Sequence, residues 1–65
     1  MQIVVNGERR EVPPATSVSQ LLSELSLGRH VAVEINFELV PRREHAEHVL
    51  RPDDSVEIVT LVGGG

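Results

Sequence analysis

The chain alternates short apolar runs with turn-forming residues, and the period of each run names its element. In QIVVNGERREV, two strand-like stretches flank Asn6-Gly7. That dipeptide is favoured in a two-residue type I′ turn, where both central positions need positive φ. The pattern predicts a β-hairpin. Pro13-Pro14 ends its second strand, because proline has no amide hydrogen to give a sheet ladder. In TSVSQLLSEL, the residues Val18, Leu21, Leu22 and Leu25 fall at i, i+3, i+4 and i+7, which makes one apolar stripe on a helix. Ser17 with Gln20 three positions later has the spacing of a capping box, and Gly28 is the expected C-terminal stop. A helix this short and amphipathic lies on a sheet.

The second half of the chain is strand-rich. In HVAVEINFELVP, the side chains of Val31, Val33 and Ile35 point one way and those of Ala32, Glu34 and Asn36 the other. A turn at Asn36-Phe37 lets Leu39-Val40 form a short strand that Pro41 ends. RREHAEHVL is polar and irregular, with room for one helical turn, and RPDDS is a turn cluster. VEIVTLV closes the pattern as a strand, with Val56, Ile58, Thr60 and Val62 on one face and Val59 and Leu61 on the other. Apolar residues on both faces suit a central strand. The order β-β-α-β-β-β predicts an α+β domain. It resembles the β-grasp, or ubiquitin-like, architecture, which implies a mixed sheet of about five strands with one helix across one face and the first and last strands parallel at its centre. The expected division is a folded unit over residues 1–62 and a flexible Gly63-Gly64-Gly65 tail.

Composition narrows the chemistry. Sixty-five residues without cysteine have neither disulfides nor thiolate metal sites, so one aliphatic core must carry the fold. Ten acidic residues against six basic ones leave a net charge of −4, which opposes binding to a phosphate backbone. No stretch has the roughly 20 apolar residues of a membrane span, and no signal pattern opens the chain. The expected compartment is the cytoplasm, with neither nucleic acid nor membrane as partner.

No constellation of side chains assembles an active site. His45 and His48 stand three apart among glutamates, a spacing that places two ligands on one helical face, but no third or fourth ligand joins them. They are expected to be surface-loop histidines. Ser17, Ser19 and Ser23 are explained by capping and helix exposure, and Asp53-Asp54 by a turn. The chain is expected not to be an enzyme and to bind no metal or cofactor itself.

That leaves the terminal VTLVGGG. Glycine contributes no packing and loses the most freedom when ordered, so three of them hold no fold together. A C-terminal carboxylate is ionised at neutral pH and is a poor electrophile until activated. Glycine lets a backbone pass through a narrow channel to an activating site, and the extended chain from Leu61 to Gly65 reaches about 17 Å. AVEINFELVPR followed by DDSVEIVTLVGGG resembles the ThiS family, the sulfur carriers of thiamine biosynthesis, which are β-grasp relatives of ubiquitin and of the small subunit of molybdopterin synthase, MoaD. The likeness covers nearly the whole chain, including the MQIVVNGE start and the TSVSQLL helix entry. The stretch from Asn36 to Pro41-Arg42 points to the thiamine branch. Phe37 and Asp53 depart from the usual pattern, and both lie in turns.

The resemblance implies that Gly65 is adenylated by an E1-like enzyme, ThiF, using ATP and Mg. A sulfur atom drawn from cysteine by a desulfurase then turns the adenylate into a thiocarboxylate that thiazole synthase, ThiG, consumes. Gly63 and Gly64 would thread the partner's channel, and Phe37, Val59 and Leu61 would form an apolar docking surface. The alternatives are a sister thiocarboxylate carrier, for molybdopterin, tRNA thiolation or amino-acid biosynthesis, and a β-grasp binding module with an incidental glycine tail.

Overall fold

A computed structural model describes residues 1–27 and 30–61. Its elements are β1 (Gln2–Val5), β2 (Glu8–Glu11), α1 (Val18–Glu24), β3 (Val31–Ile35), β4 (Glu38–Val40) and β5 (Ser55–Thr60), with a 3₁₀ turn at Arg42–Glu44. The strands form one sheet in the order β2-β1-β5-β3-β4. β1 and β5 pair in parallel, while β1–β2, β3–β4 and β3–β5 are antiparallel. This is the β-grasp arrangement, with the last strand at the centre. Gly28, Val62 and the tail Gly63 to Gly65 lie outside the described residues.

Both hairpins turn in two residues with positive φ at each. Asn6 and Gly7 have φ of 49° and 85°, and Asn36 and Phe37 have 51° and 72°. These are the left-handed pairs that match the twist of the flanking strands. The two departures from the family pattern, Phe37 and Asp53 (φ 67°), both occupy left-handed backbone that favours glycine or asparagine.

Helix α1 starts as its sequence dictates. Gln20 N donates to Ser17 Oγ at 3.1 Å, and Ser17 N donates to Gln20 Oε1 at 2.8 Å. The two earlier helix amides, on Val18 and Ser19, donate to the carbonyls of His48 (2.9 Å) and His45 (3.0 Å). The irregular segment after β4 therefore serves the helix start, and amides that most helices leave to water are satisfied here by protein. Val18, Leu21 and Leu22 are buried with Ile3, Val33, Ile35, Val56 and Ile58 in a single core, and Val12 and Leu50 close its margins.

The helix ends earlier than expected. Leu25 is the C-cap, Ser26 takes φ 57°, and Ser26 N and Leu27 N donate to the carbonyls of Ser23 and Leu22, each at 3.0 Å. That pair of bonds is a Schellman motif with serine in the seat glycine usually takes. Gly28 is thus not the residue that ends the helix. The left-handed conformation costs an L-residue roughly 1–2 kcal/mol, partly offset by the greater unfolded-state freedom of glycine. Ser26→Gly is expected to stabilise the domain by about 0.5–1 kcal/mol, seen as a melting temperature several degrees higher. A lower melting temperature would show that the serine side chain contributes something beyond the backbone turn.

Candidate functional site at the end of the last strand

β5 leads into the glycines, and two asparagines from the two hairpin turns fix it from either side. Asn6 stands where β1 ends. Its side chain accepts from Ile58 N at 2.7 Å and donates to Ile58 O at 3.2 Å, so the carboxamide continues the sheet ladder for one further step. On the other side, Asn36 N donates to Ser55 O at 2.8 Å. The Asn36 side chain accepts from Ser55 N at 2.9 Å and donates to Asp54 Oδ1 at 3.0 Å. Asp54 in turn accepts from Arg51 N at 2.9 Å, which closes the turn that delivers β5. The sequence reading saw Asn6 as a turn former and Asn36 as part of a motif. Their bonds to a strand up to 52 positions away have no local signal beyond an asparagine at the first position of a two-residue turn.

Opposite the helix, the sheet presents the predicted docking residues with one rearrangement. Val59 is 55% exposed and Leu61 54%. Val59 pairs with Ala32, and Leu61 N donates to His30 O at 2.8 Å. These two share the end of β5 from which the tail departs. Phe37 is 87% exposed but stands in the β3–β4 turn, beyond the Ile35–Val56 pair. The strand from Val56 to Leu61 spans about 17 Å, so Phe37 and Leu61 occupy opposite ends of the sheet and form no common patch. Leu39, 64% exposed, was not foreseen and faces outward beside Glu34, which itself stands opposite Glu57. Two like charges directly opposed on a sheet repel, and here they separate Leu39 from the Val59–Leu61 end.

His45 is a correction. It is not a surface-loop residue: it is 6% exposed, and its Nε2 lies 2.9 Å from the Val40 carbonyl. An imidazole has an apolar body and a polar tip, and this one packs its body inward and gives its tip to the end of β4. His48 is partly exposed. Among the described residues, no group of three or more His, Cys, Asp or Glu side chains is placed to hold a metal ion. The one shifted titration belongs to Glu11, whose carboxylate accepts from the Met1 ammonium at 2.8 Å. That hydrogen bond, with the positive charge behind it, holds Glu11 below the ordinary carboxylate value. It lies at the sheet's margin, away from the end of β5. No described helix is long and apolar enough to cross a membrane.

The geometry is that of a presenting platform, a rigid central strand ending beside an exposed apolar patch, and known proteins share it. The crystal structure of the thiamine biosynthesis protein ThiS from Geobacter metallireducens superimposes with a TM-score of 0.87 at 32% identity, covering the whole of both chains. The sulfur carrier protein ThiS of Escherichia coli (strain K12) is 29% identical, again over the whole of both chains. A thiazole synthase from Paramagnetospirillum magneticum is 42% identical over 66 aligned residues, and the chain spans 20% of its length. The model of the ThiS family matches residues 3–65, from the first strand through the last glycine; with that match and the shared fold, this chain belongs to the ThiS family.

Proposed function

We propose that the chain is a sulfur carrier for thiamine biosynthesis and that the Gly65 carboxylate is the group that carries the sulfur. The observation that supports this most is the family match, which runs through residue 65. The end-to-end likeness to a protein named as a sulfur carrier agrees with it.

In this reading the Gly65 carboxylate attacks the α-phosphorus of ATP on an E1-like enzyme, and pyrophosphate leaves with Mg. The resulting acyl-adenylate is electrophilic. A sulfur nucleophile derived from a cysteine desulfurase's persulfide attacks its carbonyl, AMP leaves, and Gly65 is left as a thiocarboxylate once a thiol has cleaved any remaining S–S bond. Thiazole synthase is the proposed recipient, since a segment similar to this chain occurs within proteins of that name. The chain itself acts as a protein cosubstrate, not a catalyst: it supplies the reacting carbonyl and the docking surface. Because activation consumes ATP, the proposed place of work is the cytoplasm.

Adenylation is tested by ATP–pyrophosphate exchange. The E1-like enzyme from the same cell should exchange label only when this chain is present, and not with the chain lacking Gly65. Absence of exchange, from an enzyme active on another carrier, would count against the reading. The docking surface has its own prediction. Leu61→Glu removes an apolar contact and sets a charge in its place, so affinity for the adenylating enzyme should fall at least about tenfold by calorimetry. Undiminished affinity would remove Leu61 from the interface.

A further inference from the structure

The backbone of β5 is used on both sides for only part of its length. Leu61 N bonds to His30 O and Asn36 N to Ser55 O, so by strand alternation Ser55, Glu57, Val59 and Leu61 direct their backbone groups toward β3. Asp54, Val56, Ile58 and Thr60 direct theirs the other way. Asp54 O accepts from Val4 N at 2.9 Å and Val56 O from Asn6 N at 2.8 Å, and Ile58 is met by the Asn6 side chain. There the neighbouring strand has already turned back. Thr60 is exposed, and its N–H and C=O face the side that β1 has left, with no partner there among the described residues. β5 is thus a central strand at its start and an edge strand at its end.

A second feature lies on that same side. A hollow of about 300 Å³ is bordered by Asn6, Ile58, Leu25, Leu27 and Arg10. Arg10 stands opposite Ile3 on β2, and its Nε is buried without a hydrogen-bond partner. A buried donor left unpaired is costly and uncommon in a native fold. It calls for an oxygen acceptor from outside the domain.

We propose that the adenylating enzyme lays an extended segment along this open edge, exchanging backbone hydrogen bonds with Thr60 and placing an acidic side chain toward Arg10. The added strand takes its affinity from main-chain bonds and its preference from the side-chain pocket beside them. The inference rests on the carrier reading. Thr60 precedes Gly65 by about 17 Å of extended chain, so a strand anchored at Thr60 sets how far the terminal carboxylate reaches into the enzyme. Asn6 marks where the incoming strand must stop, because its carboxamide already occupies the next position along β5.

The test is amide hydrogen exchange by NMR on the labelled chain, free and saturated with the adenylating enzyme. The Thr60 amide should exchange at the unprotected rate in the free chain and at least about tenfold slower in the complex. Thr60→Pro removes that one donor at an edge where proline is tolerated. It should keep the melting temperature and lower affinity at least about tenfold, and Arg10→Gln should weaken binding and flatten its salt dependence. If the proline variant fails to fold, the exchange measurement on the unaltered chain still decides. Unprotected Thr60 in a saturated complex that adenylates Gly65 would overturn the added strand and leave the carrier reading standing. No complex at all, with an enzyme active on another carrier, would remove both. Protection that grows with the concentration of the free chain would assign the edge to a second copy and overturn the proposal.

Discussion

Deleting Gly65 should abolish sulfur loading, and Gly64→Ala should slow adenylation by about 10²-fold, with the melting temperature of both variants unchanged within a degree or two. The two expectations have one cause. The last described hydrogen bond of the sheet is Leu61 N to His30 O, and the core is complete with Val56 and Ile58 on β5, so the fold draws nothing from residues 64 and 65. The chemistry needs both. Removing Gly65 withdraws the carboxylate by about 3.5 Å, a shift that in-line attack on a fixed phosphate does not accommodate. A methyl group at position 64 stands beside the carbonyl that two reagents must approach in turn, and it narrows the backbone conformations open to the tail. Adenylation by Gly64→Ala at the normal rate would mean that the channel admits side chains and that the glycines serve another end.

The largest loss of stability expected from a single polar side chain is at Asn6. Asn6→Ala leaves both the N–H and the C=O of Ile58 without their partner, and it puts alanine into left-handed backbone at φ 49°. Each unpaired and partly buried group costs about 1–3 kcal/mol, and water reaches some of the site, so the combined loss is expected at about 2–4 kcal/mol. For a domain of this size that is a fall in melting temperature of about 10–25 °C. Asn6→Gly separates the causes, because glycine accepts the turn and makes neither bond. It should recover only the backbone part. If Asn6→Gly matches the unaltered chain, the clasp on β5 contributes nothing and the turn alone explains the residue. Asn6→Asp, which keeps the acceptor for Ile58 N and loses the donor, should fall between.

The sequence was most legible where local rules act alone. The Asn6-Gly7 turn, the reciprocal Ser17–Gln20 cap, the alternation through Val31, Val33 and Ile35, and the Asn36-Phe37 turn each depend on residues within a few positions of one another, and all are present in the fold. It was least legible where a distant element decides. Ser26 takes the left-handed seat because the packed helix and Leu27 close the turn there, not because serine prefers it. His45 reads as solvated among glutamates and arginines, yet burial of Leu50 and the bonds to the helix start draw its segment onto the core. The docking residues illustrate the same limit. Exposure of Phe37, Val59 and Leu61 followed from alternation, but the register of β3 on β5 sets Phe37 at the far end of the sheet, and the open edge at Thr60 exists only because β1 turns at Asn6.

The central claim is that Gly65 leaves this chain's partner carrying sulfur, and intact mass reads it directly. The chain is incubated with ATP, the E1-like enzyme from the same cell and a sulfide source, then weighed. The account predicts a gain equal to the exchange of one oxygen for sulfur, located at Gly65 by fragmentation and absent from the Gly65 deletion. An unchanged mass, beside an enzyme that loads another carrier in the same mixture, would contradict it.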